Sequence, residues 1–306
     1  MTRAWCGAGV VLMVTAAVAC GDSPGKAVAE MLGSPTAVAR EARLISAMAD
    51  ADSVGDPDAP LARWVLPKAL SEISGLALTS DGRLFVHGDE DGQVWEIDYR
   101  RGLLLKRFSI GAGAIKADFE GITVANDVLW LLASNGMLYE FREGIESAHV
   151  EVRKHDTGLT KACEFEGVAY DATINALLLA CKNIRDKQER NAIVIYRWSL
   201  KPDSAGRVSR VVVPVASVRG SNGWNSLQIA DITVDPQTGN YVLLASKERA
   251  IVAITPTGGA VFARSLPEQH EQHEQPEGLA VTKDGLFLVS DEAVKGPALI
   301  TLYRWP

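Results

Sequence analysis

From residue 61 onward, short apolar runs alternate with clusters of Gly, Asp and Ser. The first unit reads GLALTSDGRLFVHGDEDGQVWEIDYRRGLLLKRFSI. Its turns, SDG, EDG and RRG, separate four strand-like runs at 75–79, 83–88, 93–98 and 103–110. Asp-Gly and Arg-Gly pairs between alternating or continuous apolar runs signal tight hairpins. Three similar units follow. They read GITVAN, VLWLLAS, MLYEFRE and HVEVRKHD; then GVAYDA, ALLLACK, AIVIYRWSL and RVSRVVVPVA; then DITVDP, YVLLASK, AIVAITP and AVFARSL. A fifth unit has only three runs, GLAVTK, LFLVSD and ALITLYRW.

The units keep a period. Each opens on EISGLAL, DFEGITV, EFEGVAY, IADITVD or QPEGLAV, an acidic or hydroxyl residue followed by glycine, with Ile232 in glycine's place once. Gly75, Gly121 and Gly167 are 46 residues apart in turn, as are Ile232 and Gly278. The one longer interval is absorbed by loops at 182–190 and 217–228. Such a period marks a repeat architecture. Four-stranded units of this kind build the blades of a β-propeller. The fifth unit lacks a strand, and ARWVLPKAL (62–70) supplies one. Without it, both chain ends would leave unpaired edges. The expected fold is all-β, a propeller over 61–306 with five four-stranded blades closed by an N-terminal strand, six blades being the alternative count.

The first 60 residues are of another kind. Residues 4–19, after Arg3, form an apolar run too short for a good membrane span. It ends AVAC, and so resembles a bacterial lipoprotein signal peptide (1–19) with Cys20 as the lipidated first residue. Gly21 rather than Asp follows the cysteine, which by that resemblance favours the outer membrane, facing the periplasm. Residues 20–60 read as a flexible tether rich in Ala, Gly, Asp, Ser and Pro. Within it, 36–51 can form a helix with a narrow apolar face, expected to be weakly ordered. Export places Cys163 and Cys181 in an oxidising compartment. A hairpin turning at 171–175 brings them together, so they are either a disulfide or two buried thiols.

The repeat concentrates chemistry at one mouth of the channel. The residues before the motif position are Ser74, Glu120, Glu166, Asp231 and Glu277. The second strand of each blade returns to the same mouth at Asp89, Asn135, Lys182, Lys247 and Asp291. The glycines fit a place where innermost strands crowd. Crowded carboxylates repel, and a cation relieves them. One reading is a salt-bridge network, with Lys182 and Lys247 satisfying Glu166 and Asp231. The other is Ca²⁺, held by Glu120, Glu166, Asp231, Glu277, Asp291 and Asp89 with Asn135 as a neutral donor.

Net charge of −7, with no basic stripe, disfavours nucleic acid. His270 and His273, three apart, read as part of a solvated loop. Trp95, Trp130, Tyr139, Trp198 and Tyr303 fall within strands and read as inter-blade core, while Trp224 is a candidate contact residue. No Gly-x-Ser-x-Gly elbow, phosphate loop or zinc-spaced cysteine pair is present.

The recurrent Ser-Gly or Glu-Gly strand start, followed by Asp-Glu after the next strand, is similar to the SdiA-regulated family of exported bacterial propellers. The residues are SEISGLAL…VHGDE, DFEGITV, EFEGVAY and PEGLAV…LVSDE. That resemblance implies a cell-envelope protein. Looser resemblance to gluconolactonases, paraoxonases and esterase-like phytases implies a divalent ion in the channel. There Glu120, Glu166 or Glu277, with Asn135 and Asp291, would hold it, although lysines in ring positions repel a metal. The expected function is a lipid-anchored propeller that binds an envelope protein or small ligand without catalysis. The alternative is a Ca²⁺-dependent hydrolase, lactonase or phosphoesterase.

Overall fold

A computed structural model describes residues 24–53, 56, 58–201, 207–267 and 273–305. Residues 1–19, read as a signal peptide, Cys20 and His270 lie outside them. Five sheets form five propeller blades, and the innermost strand comes first in each of the following series. Blade one is Ile73–Leu78, Leu84–Gly88, Gln93–Asp98 and Leu103–Ile110. Blade two is Phe119–Ala125, Val128–Ala133, Met137–Phe141 and Val152–Asp156. Blade three is Cys163–Asp171, Ala176–Ile184, Ala192–Ser199 and Val208–Pro214. Blade four is Ile229–Val234, Tyr241–Ala245, Ala250–Ile254 and Ala260–Ser265. Blade five is Pro276–Val281, Leu286–Asp291 and Leu299–Arg304, completed by Ala62–Val65.

The N-terminal strand closes the ring as expected. It pairs antiparallel with the last strand, Ala62 opposite Leu302 and Val65 opposite Leu299. The run expected as one outer strand of blade two is divided. Val152–Asp156 stays in blade two, while His149–Val150 pairs in parallel with the outer strand of blade one and covers part of its edge.

The five innermost strands touch one another in a closed cycle. Between each pair of blades lies an apolar cluster. Phe85, Phe108 and Phe119 fill the space between blades one and two; Leu178, Ile195 and Tyr241 fill that between three and four. The motif glycines stand where inner strands approach most closely. A Cβ on Gly121 would lie 2.8 Å from the Val168 amide nitrogen, and one on Gly167 would lie 2.7 Å from Asp231 Cα. Only glycine fits such a contact. Trp95, Trp130, Tyr139, Trp198 and Tyr303 are all buried. Trp224 is half-buried against the core between blades three and four, not a free contact surface.

The tether reading needs correction. Residues Pro24–Leu32 and Pro35–Ser53 are helices. In the second, Leu44 is buried with Leu66, Leu70 and Ile300 at the seam between blades five and one, and Met48 packs against the same cluster. Ala37, Leu44 and Met48 form the narrow stripe that faces inward. Polar contacts flank it. Glu41 meets Arg101 at 2.6 Å and Asp52 meets Arg304 at 2.6 Å. Arg40 lies over the Trp64 ring at 5.5 Å and donates to the Arg101 carbonyl at 3.1 Å. The stripe is too narrow to hold a free helix but is enough when the closed seam offers it a complement. Arg101 and Arg304 sit where third strands end, so this helix docks on the face opposite the motif mouth.

Candidate functional site at the channel mouth

The acidic-glycine motif has a backbone cause. In all five innermost strands the pairing register breaks at the motif, between Ile73 and Leu76, Phe119 and Gly121, Phe165 and Gly167, Ile229 and Asp231, and Pro276 and Gly278. A bulge inserts an unpaired residue and re-aims its side chain. In blades two, three and five that residue is Glu120, Glu166 or Glu277, and in blade one Ser74 and Gly75 are unpaired; in blade four it is Ala230, so Asp231 takes the place of the motif glycine.

The centre of the mouth is an ammonium among glutamates from three blades. Lys182 Nζ lies 2.6 Å from Glu166 Oε1. The charges of Glu277 and Glu120 also act on it. Burial opposes the charge of Lys182, yet these carboxylates outweigh it and hold its pKa above the ordinary value. Burial, and then the charge of Glu166 beside it, push Glu120 up to about 10. Burial pushes Glu166 up to about 7 against the pull of Lys182. Near neutral pH the Glu120–Glu166 pair therefore keeps a proton, and one carboxyl donates to the other. Glu277 is raised by burial, and its Oε1 accepts from Ser246 Oγ at 3.5 Å.

A second group of acids borders this centre. Burial, then Glu277, Asp89 and Glu72, push Glu292 up to about 7. Asp89 is raised by burial and by Glu72. Glu292 accepts from the Gln275 amide. Glu72 and Glu292 lie outside the positions that the repeat marks. Glu292 directly follows Asp291, and neighbouring residues of an extended chain face opposite ways.

Not all predicted ring residues converge. Ser74 is buried in the inner ring, and its carbonyl packs beneath Gly278. Asn135 is exposed and accepts from the Met137 amide in a turn at 2.9 Å. Asp231 is buried; its two oxygens accept from the Ile232 amide at 2.8 Å and the Leu279 amide at 2.7 Å. Burial raises its pKa well above the usual carboxylate range, and the two amides pull it back in part. Lys247 is exposed and forms no ion pair among the described residues, so the expected Lys247–Asp231 bridge is replaced by backbone bonds. Asp291 turns away to accept from His273 Nδ1 at 2.7 Å, while the Tyr303 hydroxyl donates to His273 Nε2 at 2.8 Å. His273, read as loop, is thus buried and anchors the path into blade five.

This geometry does not fit the Ca²⁺ reading. Three of the expected donors, Asn135, Asp231 and Asp291, are engaged elsewhere, and the Lys182 ammonium stands among the remaining glutamates. Among the described residues no group of three or more His, Cys, Asp or Glu side chains is arranged to hold a metal. Cys163 and Cys181 form a disulfide, which ties the two strands just before Glu166 and Lys182.

Beside the centre, a cleft of about 580 Å³ opens between blades three, four and five. Its lining combines Lys182, Lys247 and Arg249 with Glu274, Glu277 and Ser246.

Among solved structures, the fold is similar to glutaminyl cyclase of Myxococcus xanthus, with 14% identity over 80% of this chain and 94% of that one and a TM-score of 0.53. It is also similar to a virginiamycin B lyase from Staphylococcus aureus, with 13% identity over 78% of this chain and 82% of that one and a TM-score of 0.46. A third is the PQQ-bound aldose sugar dehydrogenase of Streptomyces coelicolor, with 12% identity over 79% and 98% of the two chains and a TM-score of 0.48. These likenesses speak to fold alone. A comparison with curated proteins finds no match. The family description SdiA-regulated matches residues 58–295, which takes in the inner strand and motif of every blade, and the chain belongs to that family.

Proposed function

We propose that the protein is a non-enzymatic binding propeller of the cell envelope, tethered through a lipidated Cys20, which takes its ligand at the acidic mouth. One observation carries this reading. The Lys182 ammonium lies 2.6 Å from Glu166 and within the field of Glu277 and Glu120. The mouth thus has its own counter-ion at the point where a catalytic divalent ion would be expected. The docked N-terminal helix lies on the opposite face, so a membrane tether would leave the mouth pointing away from the bilayer.

The second reading, a metal-dependent hydrolase, has one supporting observation. Glutamates from three blades meet there, and a divalent ion that displaced Lys182 would find them. Melting of the purified chain in millimolar Ca²⁺ and then chelator, beside assays with ester, lactone and phosphoester substrates, separates the two. The binding reading expects no shift and no turnover in the wild type. It expects Lys182→Met to acquire a Ca²⁺-dependent rise in melting temperature, because removing the ammonium leaves carboxylates that a cation can bridge. Wild-type turnover that requires Ca²⁺ and disappears in Glu166→Gln would overturn it.

A further inference from the structure

We infer that the mouth cleft recognises a zwitterion of amino-acid or dipeptide size, its ammonium on Glu277 and its carboxylate on Lys247 and Arg249. This rests on the reading of the mouth as a binding site and names the ligand class. The cleft holds about 580 Å³, within the range of roughly 300–1,000 Å³ typical of small-molecule sites.

The acidic part of the lining seeks a cation. Lys182 is committed to Glu166 at 2.6 Å. Glu277 accepts from Ser246 at 3.5 Å and from Gln275 and feels the charge of Lys182, but neither it nor Glu292 or Asp89 forms a close ion pair among the described residues. The Lys182–Glu166 contact shows that carboxylates of this mouth accept a primary ammonium in close geometry. A partly desolvated carboxylate makes a strong charge-assisted bond to such a donor.

The basic part of the lining seeks an anion. Lys247 and Arg249 are exposed on the turn after Tyr241–Ala245 and form no ion pair among the described residues. Glu248, between them, is spent elsewhere, since its Oε2 accepts from the Gln228 amide at 2.9 Å. Arg249 also holds φ of 48°, the left-handed region that glycine or asparagine adopts with less strain. A strained residue of that kind points to use of its side chain. A simple diamine would set one charge against Lys247 and Arg249. A simple anion would face Glu277 and Glu274. A zwitterion satisfies both parts at once.

The test uses the purified chain and four probes: alanyl-alanine, its N-acetyl form, its C-terminal amide, and ethylamine. Calorimetry and thermal shift should detect the free dipeptide, with each blocked form and ethylamine at least roughly tenfold weaker. Lys247→Ala with Arg249→Ala should abolish discrimination against the amide but keep discrimination against the acetylated form. Glu277→Gln should do the reverse. The surface positions of Lys247 and Arg249 make that double variant safe for folding. Equal binding of free and blocked dipeptides, or no binding of any probe at millimolar concentration, would overturn the ligand class. Ethylamine binding as well as the dipeptide would also overturn it. None of these results produces metal-dependent turnover, which is what would overturn the binding reading itself.

Discussion

Blade three and blade four derive from one repeat, yet they use their acid and lysine in opposite ways. In blade three, Glu166 reaches out from the bulge and meets Lys182 from the next strand at 2.6 Å. In blade four the bulged residue is Ala230, and Asp231 stands one place on, paired opposite Leu244 as Gly167 is opposite Ala180. Its carboxylate folds back onto the Ile232 amide and across to the Leu279 amide of blade five. Lys247 is left in solvent. The acid of one repeat thus serves as a counter-ion centre and that of the next as a staple between neighbouring inner strands. A shift of one residue between acid and bulge decides which.

The largest effect should come from the staple. Asp231→Ala leaves two buried amides without acceptors, at a cost of about 2–5 kcal/mol. Urea unfolding measures it, and Asp231→Asn, which keeps one acceptor, should fall between. A loss below about 0.5 kcal/mol for the alanine variant would put Asp231 among ordinary surface substitutions and end the contrast.

Blade three carries a covalent tie that blade four lacks. Cys163→Ser with Cys181→Ser should cost about 3 kcal/mol, the value for closing a loop of similar length. Reductant should lower the stability of the wild type by the same amount and leave the double variant unchanged. A reductant effect on both would place the loss elsewhere.

The two lysines give the direct comparison. Lys182→Met leaves Glu166, whose side chain is 3% exposed, without its ion-pair partner. At pH 8 this should cost on the order of 2 kcal/mol, below the figure for a fully buried pair because Lys182 itself is partly exposed. Lys247→Met should stay within about 0.5 kcal/mol. Equal costs would show that the two blades do not differ as argued.

The parts of this arrangement differed in how far the sequence reveals them. Blade number, period and the closing strand were legible because Asp-Gly hairpins and apolar runs are local signals. The close packing behind the motif glycines was legible too. The docked helix was not, because its complement is assembled by Arg101, Arg304 and Leu66 only once the ring closes. His273 was misread as solvated for a similar reason, since its partners Asp291 and Tyr303 follow 18 and 30 residues later. Asp291 and Glu292 exchanged roles because neighbouring residues of an extended chain face opposite ways, and the repeat does not mark which phase meets the mouth. The acids of the mouth were legible as a set, but their partners depended on that phase.

The smallest effect concerns the proton shared at the centre of blade three's site. Glu120 is raised from 4.5 to about 10, chiefly by burial. Glu166 is raised from 4.5 to about 7 by the same cause. A carboxyl raised in the folded state holds its proton more tightly there than in the unfolded chain. Its contribution is therefore complete below about pH 4.5 and is lost as pH rises, through about 7 for Glu166 and about 10 for Glu120. Stability should fall between pH 5 and pH 9. Glutamine mimics the protonated acid and cannot lose that proton. Glu120→Gln should match the wild type at pH 5 and exceed it at pH 9 by at least about 1.4 kcal/mol, the worth of one pKa unit. Some slope should remain, because Glu292 is also raised to about 7 by burial. Chemical denaturation at the two pH values reads the difference. Parallel profiles for variant and wild type would mean that Glu120 does not hold the proton. The ammonium of Lys182 would then balance two charged glutamates, and blade three would resemble a bare ion-pair network more than a proton-sharing one.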